Sequence, residues 1–206
     1  GGRVLSFFKK PDMNYFGGDI NSPMNVCTAL GQEYMIGTSL AAPWVTRKVA
    51  FMIEVLGLSR EVTKALLVDA AAGWNDTGNN PKQAPLLGYG TVPRHIKDIV
   101  QTKDNEIKFV LEKESNQYDT YTYSLPVPVD NEKHPFVAKA TLCYFPECSI
   151  NQGVDYTDTE LDVYIGRIET IPNKPPRLKS IDKNMQSIDD GKPHYVKEKT
   201  AREVFR

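Results

Sequence analysis

A serine lies in the run Gly37-Thr38-Ser39-Leu40-Ala41-Ala42-Pro43, directly before the first strong helical periodicity of a 206-residue chain. A hydroxyl at the N-terminus of a helix sits beside unpaired backbone N–H groups and the positive end of the dipole, which stabilise an oxyanion forming next to it. That is a setting for a nucleophile. Gly37 keeps the approach to the hydroxyl open, Ala41 and Ala42 let the first turn pack closely, and Pro43 falls near the start of the helix, where it removes fewer donors than in the middle. A lone serine before a helix is ordinarily only an N-cap. The seven-residue context points to chemistry instead.

This run resembles the nucleophile motif of the subtilisin-like serine peptidases, Gly-Thr-Ser-x-Ala-x-Pro, matched at Gly37, Thr38, Ser39, Ala41 and Pro43. Lys10-Pro11-Asp12 followed by Gly17 is similar to the family's Lys-Pro-Asp segment, and Leu87-Gly88-Tyr89-Gly90 to its Tyr-Gly-x-Gly segment. The resemblance implies that residues 1–101 are the C-terminal part of an α/β catalytic domain. It also implies a serine endopeptidase acting on peptide or protein substrates, with Ser39 as nucleophile, Gly37, Thr38, Ala41 and Pro43 as motif support, and no cofactor or metal. Trp44 stands where the family commonly has His, and Thr46-Arg47-Lys48 where its helix continues with Gly. These departures resemble a divergent group of bacterial subtilase-like proteins with a β-rich C-terminal extension.

Subtilisins order their triad Asp, His, Ser, yet residues 1–38 contain no histidine; His95, His134 and His194 all follow Ser39. The triad Asp and His and the oxyanion Asn are therefore expected upstream. Gly1 reads as a processing boundary in a longer protein, and the chain alone is expected to be inactive. An α/β-hydrolase esterase, with Gly37-x-Ser39-x-Ala41 as nucleophile elbow and a later histidine as base, is the competing enzyme reading. It wants a hydrophobic strand before the serine, and Gly31-Gln32-Glu33-Tyr34 is a poor one; it also wants glycine at position 41. The non-enzymatic alternative is a β-sandwich module that recruits a partner or braces the catalytic domain.

The elements that must position Ser39 follow from periodicity. From Leu40, the residues Val45, Val49, Met52, Ile53 and Leu56 recur at helical spacing, and Gly57 closes the run. Ser59 caps a second helix with Glu61 in its first turn, Val62, Ala65, Leu66 and Ala70 as its stripe, and Gly73 at its end. A turn-rich loop leads to Gly90, after which Thr91 is expected to cap a short helix carrying Val92, Ile96, Ile99 and Val100.

Beyond Glu106 the period becomes alternating: Ile107, Phe109 and Leu111; Tyr121, Tyr123 and Leu125; Ala138, Ala140, Leu142 and Tyr144; Leu161, Val163 and Ile165. Four strands imply a small antiparallel β-sandwich over residues 102–170. The fold class is thus mixed α and β, helices of a subtilisin-like α/β domain followed by the sandwich. Residues 171–206, with nine Lys and Arg against five Asp and Glu, read as a basic, proline-containing tail.

The whole chain carries 25 Lys plus Arg against 26 Asp plus Glu, so charge gives no reason to expect nucleic acid or a membrane surface as partner. Cys27, Cys143 and Cys148 are too few and too odd in number for a disulfide scaffold. This fits a reducing compartment, bacterial cytoplasm, with secretion as the alternative. Cys143 and Cys148 read as structural thiols, and the acidic residues Asp155, Asp158, Glu160 and Asp162 as a solvated edge rather than a calcium loop. Asp76, Asn79 and Asn80 read as turn residues. Phe7, Phe8, Tyr15 and Phe16 should expose apolar surface that upstream parts of the domain would cover, so the chain is expected to self-associate through residues 1–38.

Overall fold

The computed structural model describes residues 11–71, 88–116, 119–126, 138–146, 161, 163, 166–169, 172, 177–180 and 200–205. A β-hairpin comes first, β1 (Met24–Thr28) paired antiparallel with β2 (Gly31–Met35), Met24 opposite Met35. Helix α1 (Thr38–Glu54) follows, then α2 (Arg60–Ala70) and the short α3 (Lys97–Val100). The later strands are β3 (Ala138–Cys143), β4 (Gly166–Glu169), β5 (Arg177–Ser180) and β6 (Thr200–Phe205).

Local signals set the helix limits. At the end of α1, the Gly57 N–H donates to the Ile53 carbonyl at 3.1 Å and the Leu58 N–H to the Met52 carbonyl at 3.1 Å. That reversal requires the left-handed φ of +67° at Gly57, which glycine adopts without a Cβ penalty. Two residues later the Ser59 side chain accepts from the Val62 N–H at 3.2 Å and opens α2, with Glu61 in the first turn. Helix α2 leaves helical geometry at Ala71, whose ψ is 121°, ahead of the expected stop at Gly73, a position outside the described residues.

The core lies between α1, α2 and the segment from Tyr89 to Val100. Met52, Val62, Leu66, Leu67, Val92 and Ile99 form one buried cluster, with Val45, Val49, Met13 and Tyr15 packed on it. Met52 and Ile99 are fully buried, each contributing about 1.5–3 kcal/mol by area removed from water. Among the stripe residues named from the sequence, Leu56 is the exception, 43% exposed beyond the last turn of α1. Helix α1 carries a second apolar row, Trp44, Phe51 and Val55, on its exposed side.

Thr91 does not cap a helix. It forms an isolated parallel bridge with Asn14, and its hydroxyl donates to Asn14 Oδ1 at 2.7 Å. Pairing across the chain outcompetes local capping there, and α3 starts only after Ile96.

No β-sandwich forms among the described residues. Three separate two-stranded antiparallel sheets are present: β1 with β2, β3 with β6, and β4 with β5. Ile107, Phe109, Leu111, Tyr121, Tyr123 and Leu125 lie outside any strand and are exposed, from 41% to 56%. Alternation marks an apolar row but supplies no partner for the backbone, and these rows found none in a ladder. Leu161 and Val163 are also outside strands, and β4 begins at Gly166; Ile165 lies outside the described residues. The segment read as a tail supplies β5 and β6, with Phe205 opposite Ala138 and Thr200 opposite Cys143. Contacts also cross residue 101, since β3 packs on α2.

Candidate active site

Ser39 is the second residue of α1, with Gly37 as N-cap and Thr38 as the first helical residue. It is therefore not itself the cap, and its exposed hydroxyl is not tied to capping its own helix. The Leu40 N–H donates to the Gly37 carbonyl at 3.0 Å. The Ser39 N–H has no acceptor among the described residues, as expected for a first-turn donor. A hydroxyl and a free N–H thus belong to one residue at the positive end of a 17-residue helix.

The supporting residues divide by role. A Cβ on Gly37 would meet nothing nearer than the Ser39 nitrogen at 3.9 Å, so the space before the serine is open. Ala41 is buried, whereas Ala42 is exposed, so only the first of the two small residues serves close packing. Pro43 is the sixth helical residue, past the first turn. It therefore removes one regular donor, the one that would reach the Ser39 carbonyl.

The three segments singled out in the sequence come together around residues 11–17. On one side, the Gly37 N–H donates to the Gly17 carbonyl at 2.8 Å, and a Cβ at position 17 would lie 2.5 Å from the Gly37 oxygen and 3.5 Å from the Ala41 Cβ. On the other, the Tyr89 N–H donates to the Asp12 carbonyl at 2.8 Å, the Asn14 N–H to the Gly90 carbonyl at 2.9 Å, and the Val92 N–H to the Asn14 carbonyl at 3.0 Å. Gly88, at a left-handed φ of +59°, packs so tightly that a Cβ would overlap the carbonyl oxygens of Pro11 and Asp12. Segment 11–17 is thus a spacer clamped between Gly37 at the start of α1 and the Gly88–Gly90 turn. Lys10 and Leu87 lie outside the described residues.

On the inner face of α1, Lys48 is 96% buried by its 4% exposure, with its ammonium 4.4 Å from the centre of the Tyr15 ring and 3.5 Å from the Trp44 carbonyl. Sequence periodicity passed over it because lysine is polar; its spacing of seven from Ala41 was the available signal. Tyr15, expected to be exposed, is half-buried under this cation, while Phe16 remains 49% exposed.

His95 is exposed in the turn leading into α3, and His134 and His194 lie outside the described residues. The run Gly31-Gln32-Glu33-Tyr34, read from sequence as a poor strand, lies in β2 (Gly31–Met35). It is an exposed hairpin arm rather than a central sheet strand, and Ile36 and Gly37 separate it from α1. Its pairing to β1 explains how a polar run becomes a strand. Among the described residues no group of three or more His, Cys, Asp or Glu gathers in metal-binding geometry, and no helix is long and apolar enough to cross a membrane. Cys27 is exposed and Cys143 half-buried; Cys148 and the acidic residues Asp155, Asp158, Glu160 and Asp162 lie outside the described residues.

Residues 1–90 match the family model described as the subtilase family, peptidase S8. That match contains the serine, the spacer and the Gly88–Gly90 turn, and it supports a subtilisin-like serine peptidase family for this part of the chain. No curated protein and no solved structure matches the chain.

Proposed function

We propose that the chain carries the nucleophile-bearing, C-terminal part of a subtilisin-like serine endopeptidase, with Ser39 as the attacking residue. The observation that carries this reading is the juxtaposition at Ser39 of an exposed hydroxyl and an N–H with no acceptor among the described residues, at the N-terminus of α1 and within the stretch that matches the subtilase family. Ser39 Oγ adds to the scissile carbonyl carbon as its proton passes to a histidine base. The Ser39 N–H donates to the oxygen that becomes negative. Collapse of the tetrahedral adduct returns that proton to the departing amine and leaves an acyl-serine, which water hydrolyses.

The base, its orienting Asp and the oxyanion Asn come, in this reading, from a segment preceding residue 1. The family's triad order and the lack of histidine in residues 1–38 support it. The outer row Trp44, Phe51 and Val55 supports it too, since preceding parts of the domain would cover these exposed apolar side chains.

The test is active-site labelling with a fluorophosphonate. The 206-residue chain should remain unlabelled, whereas the same chain joined to its preceding catalytic segment should label at Ser39 and lose the label in Ser39→Ala. Labelling at another serine in the joined protein would reject Ser39 as nucleophile.

A further inference from the structure

Asp69 stands near the C-terminal end of α2, where the negative end of the helix dipole disfavours a carboxylate, and α2 has no basic residue in its last turn. The compensating cations come from elsewhere in the chain. Lys139 of β3 has its Nζ 3.1 Å from Asp69 Oδ1 and donates to the Asp69 backbone carbonyl at 2.6 Å. The Thr141 hydroxyl donates to Oδ1 at 3.2 Å. Lys108 Nζ lies 3.6 Å from Oδ2 and donates to the Ile99 carbonyl at 3.2 Å. The three charged side chains are only 18–30% exposed, so water screens them less than it would a surface pair.

The opposite end of α2 meets the residues just after β3. The Phe145 ring centre is 6.0 Å from Arg60 Cζ and 5.9 Å from Lys64 Nζ, and Lys64 pairs with Asp12 Oδ2 at 3.4 Å. Residues 139–145 therefore run back along α2 and touch it at both ends.

We propose that α2 is an intramolecular docking site for residues 138–146, with Lys139 acting as the C-terminal cation that α2 lacks and Asp69 as the anchor. The extension is thereby fastened to the helix that packs against α1. This attachment is a property of charge and of the helix end, and it does not depend on the chemistry of Ser39.

Amide hydrogen exchange on the whole chain tests it with Lys139→Met. Exchange should accelerate about tenfold, the weight of one charge-assisted hydrogen bond, at residues 138–146 and in the last turn of α2, with α1 unchanged. Lys139→Arg should restore protection, Asp69→Asn should reproduce the loss, and Lys97→Met, a change at an exposed lysine of α3, should do neither. Unchanged exchange in Lys139→Met, or acceleration spread equally into α1, would overturn the proposal.

Discussion

The backbones of Gly17 and Gly37 touch: one carbonyl accepts the other's N–H at 2.8 Å, and no Cβ fits at position 17 without coming within 2.5 Å of the Gly37 oxygen. This contact places the residue before Thr38 and Ser39. Gly17→Ala should therefore push the N-cap of α1 away and destabilise the chain by about 1–3 kcal/mol, the usual cost of forcing extra atoms into a packed contact. Gly37→Ala, which meets only open space, should cost much less. Urea unfolding of both variants gives the comparison, and equal midpoints would refute the spacer role of segment 11–17.

Replacing the proposed nucleophile separates chemistry from folding. In the longer protein that the proposed function requires, Ser39→Ala should lower kcat by about 10⁶, in line with the loss measured for subtilisin's own serine. Since Ser39 is exposed and not the cap, the melting temperature should hardly change. Residual turnover within tenfold of the parent would exclude Ser39 from the reaction.

Ser59 is the residue that does cap a helix. Ser59→Ala removes the bond to the Val62 N–H and should cost about 1 kcal/mol. Ser59→Asp should retain most of the stability, and thermal melts of the pair decide the matter.

The turn around Asp119 should be acid-sensitive. The Asn116 N–H donates to Asp119 Oδ2 at 2.8 Å and the Tyr121 hydroxyl lies 2.9 Å from the same oxygen, holding the carboxyl below its ordinary 3.8. A depressed carboxylate stabilises the turn fully above its unfolded pKa, and that contribution disappears as pH falls through the lower folded value. Tyr121 behaves conversely: Asp119 raises its phenol above 10.0, so its contribution persists below 10.0 and is lost as pH rises through the folded value. Side-chain NMR titration should show both directions, and Asp119→Asn should return Tyr121 towards its ordinary value.

Light scattering should show association of the 206-residue chain at high concentration, through Phe16, Ile36, Trp44 and Phe51, which are 39–55% exposed. Trp44→Glu should reduce it. A monodisperse monomer across the concentration series would count against this expectation.

The helical part was legible because its signals are local. Gly57, Ser59 and the 3.6-residue spacing of Val45, Val49 and Met52 need no distant partner, and the three short motifs around Ser39 survived as neighbours in space. Thr91 offers capping chemistry locally, whereas Asn14, which claims it, lies 77 residues earlier. Phe109 and Tyr123 carry alternation as clear as that of Leu142, yet only Leu142 sits in a ladder, opposite Ala201. Partner choice is set by pairing and by docking on α2, and residue type alone encodes neither.

The pairing of β3 with β6 joins Cys143 to Thr200 across more than fifty intervening residues. Closing so long a loop costs on the order of 3–4 kcal/mol in chain entropy, and during synthesis β6 leaves the ribosome well after β3. Until it arrives, the edge of β3 that β6 covers keeps its N–H and C=O groups unpaired, the kind of template that recruits strands from other molecules. The helices and their core can form from residues already made, so the sheet is the late and aggregation-exposed step of biogenesis. A chain stopped by premature termination before Thr200 would keep its serine and its helices but carry that open edge permanently, and quality-control proteases would meet it as a misfolded product.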